Sequence, residues 1–358
     1  MENLVINAMK ILITGNMGYI GPNLVHYLRA AHPEWKLTGF DTAFFANALT
    51  TPFSFPEHEL DVQLFGDVRS LPDSALAGVD AVVQLAAISN DPMGKAFEDV
   101  TMAVNHLASV TVAEKAKRAG AKAFVFASSC SVYGFAEDGA RSESSSLNPL
   151  TAYARSKVAV ETDLQKVAGH GFKVSCLRFS TACGMSPRLR LDLVLNDFVA
   201  SAIAAQKITI LSDGTPWRPL INTHDMARAI DWAIVREAAN GGEYVVVNVG
   251  SDEWNYQVKD LAIAVQKEMP GVEVSINKDA QPDKRSYKVD FSLFRKLAPN
   301  HQPVHNLAAT VRELKEGLSA IGFNDANFRD SRLIRLKMLN HLKTAGYLDE
   351  TLRWNQGK

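Results

Sequence analysis

Cysteine is scarce in this sequence: three in 358 residues, at Cys130, Cys176 and Cys183. None forms a C-x-x-C pair or neighbours histidines at metal-ligand spacing, which argues against both a disulfide framework and a zinc site. His301 and His305 do stand one turn apart, but Pro303 between them opposes the helix that would align them, and no Glu completes an H-E-x-x-H. Both read as loop histidines. An excess of either charge is also missing. The 38 Lys and Arg oppose 39 Asp and Glu, a net charge of −1 with no basic stripe, so nucleic acid and anionic lipid find no electrostatic footprint. No apolar run approaches the ~20 residues of a membrane-spanning helix. Met1 to Ala8 lacks the basic flank and apolar block of a signal peptide. These absences predict a cytoplasmic globular protein, and a hydrophobic content of 47% supplies a sizeable core.

Apolar runs of strand length alternate with helix-length periodic segments through the first half. Lys10 to Thr14, Lys36 to Phe40, Val62 to Phe65, Ala81 to Ala86, Ala123 to Ala127 and Lys173 to Arg178 read as strands. Asn23 to Ala30, Val104 to Ala119 and Tyr153 to Ala168 read as helices, with apolar residues at three- and four-residue steps. The alternation predicts an α/β fold: a Rossmann-type, doubly wound parallel sheet covered on both faces. Residues 9–180 form the dinucleotide-binding part on this reading, with returns to the sheet near 208–250. Residues 181–207 and 251–325 make a smaller interleaved substrate-binding lobe, and 326–358 a C-terminal helical extension. From Arg329 to Trp354 that extension is amphipathic, which fits a surface helix pair or an oligomer contact.

The first strand runs into Thr14-Gly15-Asn16-Met17-Gly18-Tyr19-Ile20-Gly21-Pro22 and then a helix. Gly15 permits the tight turn, Gly18 a close backbone approach to a pyrophosphate, and Gly21 close helix packing; the helix N-terminus faces the phosphates. Asp41, twenty residues after Gly21, ends the second strand, where a carboxylate can bond ribose hydroxyls and repel a 2′-phosphate. NAD is therefore favoured over NADP. Asp67, beside Val68 at the end of the third strand, is placed to accept from the adenine amino group or to serve as a turn residue.

Ser128 to Gly134 follow the fifth strand, and Tyr153-Ala154-Arg155-Ser156-Lys157 opens the next helix. Tyr and Lys four residues apart lie on one helical face. An ammonium beside the phenol, together with a positive nicotinamide ring, would lower the Tyr pKa from about 10 and make it a usable general base.

With these segments in this order the chain resembles the extended short-chain dehydrogenase/reductase superfamily. Within it, the similarity is to the NAD-dependent sugar-nucleotide epimerase/dehydratase family of UDP-glucose 4-epimerase. The resemblance rests on T-G-x-x-G-x-x-G at Thr14, Asp41, G-D-V at Gly66, L-A-A at Leu85, V-N at Val104, S-x-x-V-Y-G at Ser129, Y-x-x-x-K at Tyr153, L-R-F at Leu177 and R-P-L-I-N-T-H-D at Arg218. It implies Tyr153 as base, Lys157 as its partner and ribose ligand, and Ser129 as the hydroxyl sharing the substrate proton. It sets Tyr19, Ile20, Leu85, Ala86, Ala87 and Asn105 against NAD. Arg218 and Arg285 match the family's pyrophosphate-binding arginines, Asn196, before a helix at Asp197, sits where the family cradles the substrate diphosphate, and Thr181 replaces an Asn that many epimerases carry. The resemblance further implies a nucleotide-diphosphate sugar as substrate and a homodimer through the helices at Val104 and Tyr153.

Two departures bear on the reaction. Family dehydratases place Asp and Glu directly after the active-site hydroxyl; here those positions hold Cys130 and Ser131. Eliminations lose their acid and base, which leaves a sugar-nucleotide epimerase working by C4 oxidation and hydride return. The alternative is a 4-keto sugar-nucleotide reductase or a C3/C5 epimerase using Cys130, with a 4,6-dehydratase behind both.

Overall fold

The six apolar runs of the first half, together with Tyr244–Val249, become the seven strands of one sheet. The computed structural model describes residues 8–50, 55–277, 279–280 and 286–355. Across the sheet the order is Tyr244–Val249, Lys173–Phe179, Ala123–Ser129, Ala81–Gln84, Lys10–Thr14, Lys36–Asp41 and Val62–Phe65, every neighbouring pair parallel. The order reverses direction between Lys10–Thr14 and Ala81–Gln84, so the crevice beyond their C-terminal ends is the topological switch point where open α/β sheets bind ligands. The inner strands are buried on both faces, as their near-continuous apolar sequence requires. Val62–Phe65 departs from that expectation. As an edge strand with a single neighbour it stays half covered, and Phe65 is 67% exposed.

One face is closed by the helices Gly21–Ala31 and Thr223–Val235, which share a core with Ile11, Ile13, Val83 and Val125. The other is closed by Ala108–Arg118 and Ala152–Val167 over Leu12, Val82, Phe124 and Phe126. The helix read from Val104 starts earlier, at Glu98, and its stretch Met102–Leu107 is wound as π-helix, a form that gathers at functional sites.

Two glycines set how tightly the first helix meets the sheet. Gly15 has φ +72°, and a Cβ there would stand 2.5 Å from the Ala86 nitrogen; a Cβ on Gly21 would stand 2.0 Å from the Asn16 carbonyl oxygen. We expect Gly15→Ala to lower unfolding free energy by about 1–3 kcal/mol, because it combines a disfavoured backbone with an overpacked contact. A urea midpoint equal to wild type would contradict this.

Of the stretch 208–250, only Tyr244–Val249 joins the main sheet. Lys207–Ile210 instead pairs with Glu273–Ile276, and Trp217–Asn222 lies between Thr181–Cys183 and Asn255–Gln257. These strands, with the helices Val194–Ala205, Val258–Glu268 and Leu307–Ala320, enclose a second core around Leu195, Val199, Leu261, Val311 and Leu314. The C-terminal extension is one helix, Arg335–Thr344, rather than a pair. Its Met338, Leu339 and Leu342, with Leu348 and Leu352, pack on Ile88, Met93, Phe97 and Phe45 of the first domain. No helix among the described residues is long and apolar enough to cross a membrane.

Candidate active site

A cavity of about 970 Å³ opens at the C-terminal ends of the parallel strands and runs toward the second lobe. Gly15, Gly18, Tyr19, Ile20, Asp41, Asp67, Val68, Leu85, Ala86 and Ala87 line one end; Ser129, Tyr153, Lys157, Thr181 and Arg218 line the rest. The crowding at Gly15 and the 3.1 Å from an added Gly18 Cβ to the Gly15 carbonyl oxygen leave bare backbone facing the cavity. Such a cradle before a helix N-terminus suits a pyrophosphate. Asp41 is held by two backbone N–H donors, from Met17 at 3.0 Å and from Ala43 at 2.7 Å. Burial raises its pKa, and those two bonds oppose the shift. Asp67 is committed to Arg69, whose guanidinium donates to both carboxylate oxygens.

Tyr153 and Lys157 stand one turn apart on Ala152–Val167, a helix capped by Thr151, whose side chain accepts from the Ala154 N–H and donates to Asp91. Gly94 lets the neighbouring helix approach, since a Cβ there would lie 3.1 Å from the Tyr153 nitrogen. Ser129, the last residue of its strand, is the polar side chain that acts on the Tyr153 phenol. Lys157 is 3% exposed and donates to the Ala127 carbonyl at 2.7 Å, its Nζ 5.5 Å from the Tyr153 ring centre. The electrostatics differ from the sequence expectation. Burial pushes Tyr153 up to about 12, with the Ser129 bond opposing, and pushes Lys157 down to about 7 against the pull of Glu161. A partly neutral ammonium in an apolar wall is a weak support for a phenolate, and the nicotinamide charge in that expectation arrives only with the cofactor.

Two assignments carried by the resemblance fall elsewhere. Asn105 is wholly buried outside the cavity wall, where it brackets the Ile88 backbone and donates to Ser156. Asn196 is not ahead of its helix, which begins at Val194, but inside it. Fully buried, it donates to the Tyr19 hydroxyl and the Arg190 carbonyl and accepts from the Gly184 N–H. It braces the cavity wall from behind. Arg285 lies outside the described residues.

Cys130 is 1% exposed, absent from the cavity wall, and its Sγ donates to the Arg178 carbonyl; burial pushes its pKa up. Cys130 opens the 3-10 turn Cys130–Tyr133 after the strand ends at Ser129, and its side chain is turned away from the site. Ser131 does reach the wall, and its buried hydroxyl has no hydrogen-bond partner among the described residues.

Two groups escaped the sequence reading. Behind Lys157, the buried Glu161 receives Arg178 through both Nε and Nη2 and the Ser128 hydroxyl at 2.5 Å, while Arg178 also donates to Tyr133. Its signal was present: Tyr153, Lys157 and Glu161 repeat at four-residue steps. Arg190 and Asp192, from the loop after Gly184, pair at 2.9 Å within the cavity wall, with Asn90 also donating to Asp192. Burial pushes the Asp192 carboxyl up, but the Arg190 charge and hydrogen bond outweigh it and leave the pKa lowered.

Comparison with known proteins agrees with this geometry. The sequence model of the NAD dependent epimerase/dehydratase family matches residues 11–250. An uncharacterized UDP-glucose epimerase of Bacillus subtilis, YtcB, is 30% identical over 257 residues, covering 68% of this chain and 78% of that protein. A dTDP-glucose 4,6-dehydratase of Streptomyces griseus is 27% identical over 316 residues, covering 84% and 92%. Among solved structures, MoeE5 in complex with UDP-glucose and NAD superimposes with a TM-score of 0.73 at 25% identity, over 87% of this chain and 99% of that one. Relatives of both reaction types thus surround the sequence, and a glycine cradle, an acidic second strand and a Ser, Tyr, Lys set share one cavity. The chain belongs to the NAD-dependent epimerase/dehydratase family.

Proposed function

We propose that the protein is a sugar-nucleotide epimerase that inverts C4, with Tyr153 as the base. The observation that carries the reading is the pairing of Tyr153 with Ser129 in a cavity where no carboxylate occupies the two positions after Ser129. Elimination of water requires an acid for the leaving oxygen and a base for C5. Cys130 faces away, Ser131 carries only a hydroxyl, and the ion pair with Arg190 keeps Asp192 ionised at neutral pH. This residue pattern is what favours the epimerase reading over elimination.

Gly15, Gly18, Ile20 and Ala86 would hold the dinucleotide's phosphates by backbone, Asp41 its adenosine ribose, and Lys157 its nicotinamide ribose. NAD, when bound, supplies a reversible two-electron acceptor that takes a hydride from the sugar carbon and returns it, with a 4-keto sugar between. Tyr153 takes the C4 hydroxyl proton as the hydride leaves and gives it back as the hydride returns, so the proton ledger closes in each cycle. Ser129 bonds both the phenol and the sugar oxygen and keeps them in line. Arg218 and Thr181, on the opposite wall, are the groups we assign to the substrate diphosphate and sugar.

The test is NMR of the protein in deuterated water with UDP-, GDP-, CDP- and dTDP-sugars, both normal and 4-keto, and no added cofactor. Inversion at C4 without deuterium uptake is expected. Deuterium at C3 or C5, loss of water, or silence until NADH or NADPH is supplied would each overturn the reading. Cys130→Ser is expected to change kcat by less than about twofold, since Ser can donate to the same carbonyl from the same buried position; a loss of tenfold would return the thiol to the chemistry.

A further inference from the structure

The C-terminal segment reaches the cofactor end of the cavity. Trp354 donates through Nε1 to the Thr42 carbonyl at 2.7 Å and its ring lies 5.6 Å from Phe44. Arg69 donates to the Thr351 carbonyl at 2.8 Å, and Arg353 stands 3.7 Å from Asp67. Thr42, Asp67 and Arg69 follow the second and third strands, so the segment is tied across the adenosine side. Leu339 and Leu352 are part of the cavity wall.

Arg335, at the start of the last helix, is the unusual member. It lines the cavity yet is 1% exposed, and it lies over the Phe45 ring at 4.5 Å. Its Nη2 donates to the Arg188 carbonyl at 2.7 Å, while its buried Nη1 has no hydrogen-bond partner among the described residues. The neighbouring guanidinium groups are matched: Arg188 by Glu57, and Arg190 by Asp192. Arg335 has no carboxylate within 4.0 Å among the described residues. Burial, then the charge of Arg190, push its pKa down to about 9, with Asp192 opposing. A buried cation at a cavity wall, with one N–H unmatched, is costly until an anion arrives.

The position says which anion. The Arg188 backbone that holds Arg335 is itself tied to the glycine turn: the Arg188 N–H donates to Ser186 Oγ, and Ser186 donates to the Tyr19 carbonyl at 2.7 Å. Arg335 is therefore coupled to the turn that cradles phosphates, and Asp41, close by at the ribose end, disfavours a further phosphate on that ribose. We propose that Arg335 is a ligand of the dinucleotide's pyrophosphate and that residues 335–354 form a strap that keeps NAD resident in the protein. The inference rests on the family's cofactor and is independent of the reaction, because binding alone reads it.

The experiment uses the full-length chain stripped of nucleotide and its Arg335→Met and Arg335→Lys variants, with NADH fluorescence and displacement by ADP-ribose, adenosine, NADPH and UDP. Arg335→Met is expected to weaken ADP-ribose by at least about tenfold while leaving adenosine unchanged, as loss of a charge-assisted bond requires. Arg335→Lys should recover part of that affinity, and NAD should co-purify with wild type and not with Arg335→Met. The melting temperature of the nucleotide-free Arg335→Met protein should hold or rise, since the substitution removes an unpaired buried charge. Equal losses for ADP-ribose and adenosine, or unchanged ADP-ribose affinity with a lower melting temperature, would make Arg335 structural and overturn the proposal. So would a loss larger for NADPH than for NADH, or one confined to UDP.

Discussion

Tyr153→Phe is expected to lower kcat by at least about a thousandfold while the protein keeps its fold and its NAD. General base catalysis by a placed side chain contributes about 10²–10⁴-fold, and no other described group bonded to Ser129 can take the proton. The ring stays where the helix holds it, and the only bond lost is the one to Ser129, so stability should change by no more than about 1 kcal/mol. Nucleotide content after purification, a thermal melt and single-turnover kinetics separate chemistry from binding. A variant retaining a tenth of wild-type kcat would remove Tyr153 as the base. The ground-state pKa, pushed up to about 12 by burial, adds a condition: the phenol becomes a competent base only when the bound nicotinamide adds positive charge and Lys157 is protonated.

Glu161→Gln is the second large effect. Glu161 and Arg178 are both nearly sealed from solvent, at 4% and 5% exposure, and removing one partner of such a pair costs about 3–5 kcal/mol because the other charge is left buried. Replacing both, as Glu161→Met with Arg178→Met, should cost less than Glu161→Gln alone, since no orphaned ion remains. Urea unfolding of the three proteins checks the order, and a Glu161→Gln protein within 1 kcal/mol of wild type would refute it. A positioning role predicts more than lost stability. Glu161 pulls the Lys157 pKa up against burial, so its neutralisation lowers the Lys157 pKa further from the about 7 that burial leaves it. With less ammonium beside it, the phenolate is harder to form, and the rising limb of activity with pH should move to higher pH. A merely structural Glu161 would lower the melting temperature and leave that limb in place.

The local features of this protein were legible because each is written in neighbouring residues. The parallel sheet follows from short apolar runs spaced by amphipathic helices, and the glycine turn from a spacing that only a strand, tight turn and helix can use. The pairing of Tyr153 with Lys157 follows from a four-residue step on one helix. Asn196 was misplaced by one helical turn for the complementary reason. Nothing beside it marks where the helix starts, because Leu193 at the boundary makes no side-chain cap, and the burial that occupies its amide is a property of Tyr19 and Arg190, far away in the chain. Asn105 failed likewise: its partners are backbone groups of Ile88, seventeen residues upstream.

What the sequence by itself determined, then, is the sheet, the glycine turn, the acidic end of the second strand and the one-turn spacing of Tyr153 and Lys157, since these depend on steric and periodic rules that act within a few residues. Only the tertiary structure decided that Cys130 faces away from the cavity, that Glu161 and Arg178 stand behind Lys157, and that Arg335 is buried at the cavity wall against the Arg188 carbonyl. Those facts depend on burial and on charges brought together from distant segments. Dielectric and desolvation depend on every packed neighbour at once, so pKa values and unpaired cations emerge only after the chain has closed on itself.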